Sequence, residues 1–211
     1  MSDFAKAYTE IMRAGIVTKP ISKSGELCFV LTEDAPNAKL KGLVINNVPP
    51  DSILVNLQLV QKEQVVEKLK IVFKEDESLF NLCDYLLIAK EKSLAELYLH
   101  FIFIEMKSEK PAPKLVLEQF RGASSFNRYI EALLEYNWNF VAKETYNICT
   151  SYTLFSFRNF GGGLKNMEAN KLTHKRISQK PSTMNNVKEL SARANNTFHF
   201  MVLLGRQSQK S

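Results

Sequence analysis

Cysteine is scarce in this 211-residue chain: Cys28, Cys83 and Cys149 are its three, set far apart. An odd, scattered trio offers no disulfide framework and no paired-cysteine metal spacing, and it suits reduced thiols in a cytoplasm. Long apolar runs are also missing. Nothing reaches the roughly 20 residues of a membrane span, because the stretch around Phe101 is broken by His100 and Glu105. The start, Met1-Ser2-Asp3-Phe4-Ala5-Lys6, lacks the basic patch and apolar run of a secretory signal. The expectation is therefore a cytoplasmic protein with no membrane partner. Histidine is limited to His100, His174 and His199, without His-Glu-x-x-His or His-x-Glu spacing, which removes the common zinc-hydrolase patterns. No Gly-x-Ser-x-Gly elbow or Gly-x-Gly-x-x-Gly fingerprint occurs, so hydrolase-triad and dinucleotide chemistry are disfavoured. The run Gly161-Gly162-Gly163-Leu164-Lys165 lacks Walker spacing and reads as a turn.

What is present is enough apolar residue, 45%, for a real core, and a chain length suited to one domain over 1–211. The net charge of +6 and pI near 9.1 favour a polyanionic partner. The basic residues gather between 158 and 180, where Arg158, Lys165, Lys171, Lys175, Arg176 and Lys180 face one acid, Glu168. Lys171, Lys175 and Arg176 are the nucleic-acid contacts expected from that cluster, through sequence-independent phosphate pairing. A solvated loop is the competing reading of residues 158–182.

The coarse pattern is a helix over 3–16, then strands at 26–32, 40–48 and 53–60, and an ambiguous stretch at 61–74. Strands at 81–88 and 98–107 follow, joined by a polar connection. Lys110-Pro111-Ala112-Pro113 opens a helix over 114–135, since proline suits a first turn. Leu115, Val116, Gln119, Ala123, Phe126, Ile130 and Leu133 form its apolar stripe. Strands at 146–157 and 197–204 complete the chain. Without regular strand–helix alternation, the class is α+β, or mixed α/β.

The two central strands are unusual because each carries charge inside an apolar run: Asp84 in the first, Glu105 and Lys107 in the second. A carboxylate in a buried strand is costly unless it is paired or bound to a cation. Residues i and i+2 of a strand share a face, so Glu105 and Lys107 project together. Two carboxylates and an ammonium suit Mg²⁺ or Mn²⁺ beside a phosphodiester, since these ions take oxygen ligands and activate water. On this reading Asp84, Glu105 and Lys107 face one solvent-reachable pocket. The competing reading is a strand-end ion pair between Glu105 and Lys107 or Lys110, with Asp84 at an exposed edge.

Asp84 in Cys83-Asp84-Tyr85, the triplet Glu105-Met106-Lys107 and the helix segment Glu118-Gln119-Phe120-Arg121 resemble the restriction-endonuclease-like, or PD-(D/E)xK, nuclease superfamily. The resemblance spans residues 75–157. It implies a central mixed sheet flanked by helices, here with extra N- and C-terminal strands, and a nuclease acting on DNA rather than RNA, in genome defence or mobile-element biology. By the same resemblance Asp84 and Glu105 ligate the metal, Met106 lends its main-chain carbonyl, and Lys107 positions or activates water. Gln119 takes the place of a glutamine that several branches carry on the following helix. An upstream acidic ligand falls to Glu67 or Glu77. Cys83 stands where the motif's proline would be, and no zinc finger or helix-turn-helix accompanies the core. A noncatalytic nucleic-acid-binding or protein-interaction subunit with the same fold is the alternative, and a homodimer or larger complex fits either.

Overall fold

Apolar alternation on both sides of one long hairpin organises this protein. The computed structural model describes residues 4–33, 36–62, 81–93, 96–108, 112–157, 187–192 and 196–205. The hairpin is β6 (Tyr85–Ser93) and β7 (Glu96–Lys107), paired from Tyr85 opposite Ile104 to Ser93 opposite Glu96. Its strands run through the polar stretch expected as a connection, because the ladder bonds of a hairpin continue to its turn. Along β7, Leu99, Phe101 and Phe103 enter one apolar cluster, while Ile102, Ile104 and Met106 enter another on the opposite face.

The hairpin lies within a six-stranded sheet. It also contains β1 (Val17–Thr18), β5 (Ile53–Asn56), β8 (Asn147–Phe157) and β9 (Val187–Ala192), in the order β1-β5-β6-β7-β8-β9. Pairing is antiparallel from β1 to β7 and parallel from β7 through β9, so the sheet is mixed. A parallel neighbour requires a crossover. Here it includes α3 (Pro113–Trp138), with proline at its first turn and Asn139 in the left-handed conformation at its C-cap. The helical face of the sheet is covered by α3 and by α1 (Phe4–Ile11), which are linked by Tyr8 Oη donating to Asn127 Oδ1 at 2.9 Å.

A second, four-stranded mixed sheet covers the other face, where helices were the expectation. It contains β2 (Ile21–Lys23), β3 (Glu26–Thr32), β4 (Gly42–Asn46) and β10 (Asn196–His199), in the order β10-β4-β3-β2. Phe29, Leu31, Leu43 and Ile45 meet Leu87, Ile102 and Ile104 across the interface. The extra N- and C-terminal strands expected from the sequence thus form their own layer, joined by the parallel pair β4–β10. The α+β class holds.

Two strands expected from apolar runs end early for one physical reason. The run 53–60 is a strand only to Asn56, whose Oδ1 accepts from Leu59 N–H at 3.1 Å and starts α2 (Leu57–Lys62). The run 197–204 turns at His199, whose Nδ1 accepts from Met201 N–H at 3.1 Å and caps α5 (Phe200–Leu203). A short helix, α4 (Ala142–Thr145), precedes β8. The long-helix stripe is rotated from its expected centre: Val116, Phe120, Ala123, Asn127, Ile130 and Leu134 are buried, whereas Leu115 is 44% exposed. The basic residues Lys171, Lys175 and Arg176, and both upstream acids Glu67 and Glu77, lie outside the described residues.

Candidate functional site

Asp84 stands one residue before β6, and the hairpin register, Tyr85 opposite Ile104, continues to set it opposite Glu105. The two acids are 21 positions apart in sequence and meet directly. Asp84 N–H donates to Glu105 Oε2 at 3.2 Å, and Met106 N–H donates to Asp84 Oδ2 at 2.6 Å. Lys107, on the same face of β7 as Glu105, pairs its Nζ with Glu105 Oε1. The exposed-edge reading of Asp84 is thereby excluded, since this residue is 8% exposed and Glu105 is fully buried.

The expectation of an open pocket is corrected by that burial. Both carboxyls are closed off from solvent, and the Lys107 side chain beside Glu105 is 26% exposed. A cavity of about 380 Å³ lies elsewhere, against Leu27, Val48, Pro49, Glu91, Phe200 and Met201. His100, on the opposite face from Glu105, hydrogen-bonds Glu91 at 2.8 Å.

Burial sets the protonation of the site. It pushes Asp84 up to about 6, against hydrogen bonds from Gln58 and Met106 and the Lys107 charge, which favour the ionised form. Glu105 is pushed up to about 8, by burial first and by the Asp84 charge second, with Lys107 and Gln119 opposing. Burial alone would lower Lys107, but the Glu105 carboxylate outweighs it and holds the ammonium above its ordinary value. Burial also raises the Cys83 thiol, with the neighbouring acids adding to the effect. At neutral pH the two acids therefore hold fewer than two negative charges between them.

Gln119 is where the sequence placed it, on α3 with its amide hydrogen-bonded to Glu105. Its Oε1 is buried without a hydrogen-bond partner. The close approach that permits this is made by Gly122, one turn later. A Cβ there would stand 2.1 Å from the Asn81 carbonyl oxygen, so only glycine lets the Asp84 segment lie on the helix.

Sequence reasoning missed Gln58. On α2, its Nε2 donates to Asp84 Oδ1 at 2.7 Å, while the N–H groups of Leu57 and Gln58 donate to the Asp84 carbonyl at 2.9 and 3.3 Å. A signal was available, since Asn56 and Gln58 are the polar residues in an otherwise apolar run. Glu189 lies in the register row of Glu105, separated by Leu154, and accepts from Ser156 Oγ at 3.0 Å.

The donor set is hard oxygen, and Mg²⁺ or Mn²⁺ fits it chemically. Asp84, Glu105 and the Met106 carbonyl would hold such an ion. Two elevated carboxyls and the orphaned Gln119 oxygen would each gain from a cation. Among the described residues, no group of three His, Cys, Asp or Glu side chains gathers as a ready metal cage, so water or substrate oxygens would fill the remaining positions. Comparison of the chain with protein-family models, with curated proteins and with solved structures finds no match.

Proposed function

We propose that this protein is a Mg²⁺- or Mn²⁺-dependent nuclease that hydrolyses phosphodiester bonds of DNA. The observation that carries the reading is the meeting of Asp84 and Glu105 beside Lys107, at the register position where two strands present them to one another. The resemblance to the PD-(D/E)xK superfamily and the placement of Gln119 against Glu105 support it. A bound divalent ion supplies charge to a phosphoryl oxygen and acidity to a water. Asp84 and Glu105 hold that charge in place, and the Met106 main chain fixes the carboxylates relative to one another. Lys107, partly exposed, faces the scissile phosphate and stabilises the negative charge that grows on it. Residues 158–180, with Lys171, Lys175 and Arg176, supply phosphate contacts that hold the strand. The free thiols Cys28, Cys83 and Cys149 suit a cytoplasmic setting, and genome defence or mobile-element biology is the context we favour. Among the described residues, no helix is long and apolar enough to cross a membrane.

A second reading has one observation in its favour: Glu105 is fully buried and both its oxygens are engaged. That suits a noncatalytic subunit that binds nucleic acid or protein through the same fold. Incubating the purified protein with DNA and RNA, Mg²⁺ or Mn²⁺, and a chelator in parallel separates the two. The nuclease reading expects chelator-sensitive cleavage of DNA. It expects a loss of roughly 10²–10³-fold in Asp84→Ala, Glu105→Ala and Lys107→Ala, the scale for removing one preorganised electrostatic group. A protein that binds DNA but never cuts it supports the noncatalytic reading.

A further inference from the structure

We infer that Gln58 is a positioning residue for the cation, orienting Asp84 from α2 and tying the loading of the carboxylate pair to the order of that helix. The inference rests on the reading of Asp84 and Glu105 as a cation site. Two consecutive residues of α2 place three donors on one acidic residue. Leu57 N–H and Gln58 N–H reach the Asp84 carbonyl, and Gln58 Nε2 reaches Oδ1. Met106 N–H reaches Oδ2 from the other side. With one donor on each carboxylate oxygen, the plane of the Asp84 carboxyl is fixed, and lone pairs remain on both oxygens for a metal.

The choice of an amide matters. Gln58 orients Asp84 through a neutral donor, so it adds no positive charge to repel a divalent ion, as a lysine would. The order of α2 depends on the same contact. The first N–H groups of any helix lack partners within it, and here two of them are satisfied by the Asp84 carbonyl. Fixing Asp84 with a cation therefore stiffens α2, and disturbing Gln58 loosens Asp84.

Titration of the full chain with Mn²⁺ by calorimetry, alongside amide hydrogen exchange, tests this in the wild type and in Gln58→Met, which keeps the length and loses the donor. The wild type should bind Mn²⁺ and gain protection at the Leu57 and Gln58 amides. Gln58→Met should bind about tenfold more weakly, the lower end of the loss seen when a residue supporting a metal ligand is removed, and should lose the gain in α2. Should that variant fail to fold, Gln58→Asn, which withdraws the amide by one methylene, is read in the same way. Unchanged affinity and unchanged protection in the variant overturn this inference and leave the cation site standing. A wild type that takes no Mn²⁺ overturns both.

Discussion

Glu105 carries a large electrostatic consequence, because a carboxyl with no solvent exposure must either keep its proton or meet a cation. Its folded value of about 8 lies above the ordinary 4.5. Between those two pH values the folded protein binds more protons than the unfolded chain, so metal-free stability falls as pH rises from about 4.5 to about 8. Asp84, raised from 3.8 to about 6, adds a loss of the same sign at lower pH. In chelator, urea midpoints should therefore decline over this window. Glu105→Gln should flatten the decline and exceed the wild type at pH 9; a midpoint that climbs with pH would contradict the burial argument. Gly122 makes a separate demand. Gly122→Ala drives a methyl into the Asn81 carbonyl, and since the obstacle is backbone, a loss of about 1–3 kcal/mol is expected by denaturant titration. Asp84, Glu105 and Lys107 were legible in the sequence because charge inside an apolar run has few inexpensive explanations, and Gln119 because it interrupts an apolar helix stripe. Gly122 was not, since it matters only through a partner distant in the chain, and Gln58 showed only as a polar break in an apolar run.

At the scale of elements, caps decide where an apolar run stops being a strand. The sequences at 53–60 and 197–204 alternate well enough for either state, and a side-chain acceptor at Asn56 or His199 turns each into a helix. Asn56→Ala should cost about 1 kcal/mol, the usual loss for a removed cap, and should raise exchange at the Leu59 amide. Tyr8→Phe tests the junction of α1 with α3 differently. It leaves the buried Asn127 oxygen without its donor, so a loss of about 1–3 kcal/mol is expected in thermal or urea melts. The bounds of β3 were legible in full and those of β7 and β8 nearly so, because their β-branched and aromatic runs end at polar residues or turns. The rotation of α3 was not. Its buried face includes Asn127, a polar residue that a hydrophobic stripe passes over and that Tyr8 makes compatible with burial.

The molecule as a whole has two apolar cores on one sheet, the first under α1 and α3, the second under the four-stranded layer. Ile88 belongs to the first and Ile104 to the second, so they share no packing partners. Ile88→Val and Ile104→Val should each cost about 0.5–1.5 kcal/mol, and the double variant should equal their sum within about 0.5 kcal/mol. A larger coupling in the denaturation cycle would mean that the sheet transmits strain between its faces. This layering was not legible in the sequence, because periodicity reports that a strand face is buried without reporting what buries it. One pairing bears on how the protein is made. The β4 edge, residues 43–46, is completed by residues 196–199, among the last described positions to leave a ribosome. From the synthesis of residue 46 to that of residue 196, β4 therefore waits with an unanswered row of main-chain donors and acceptors, open to pairing with another chain. A nascent chain halted before residue 196 should accumulate in the insoluble fraction, while full-length product released under the same conditions stays in solution.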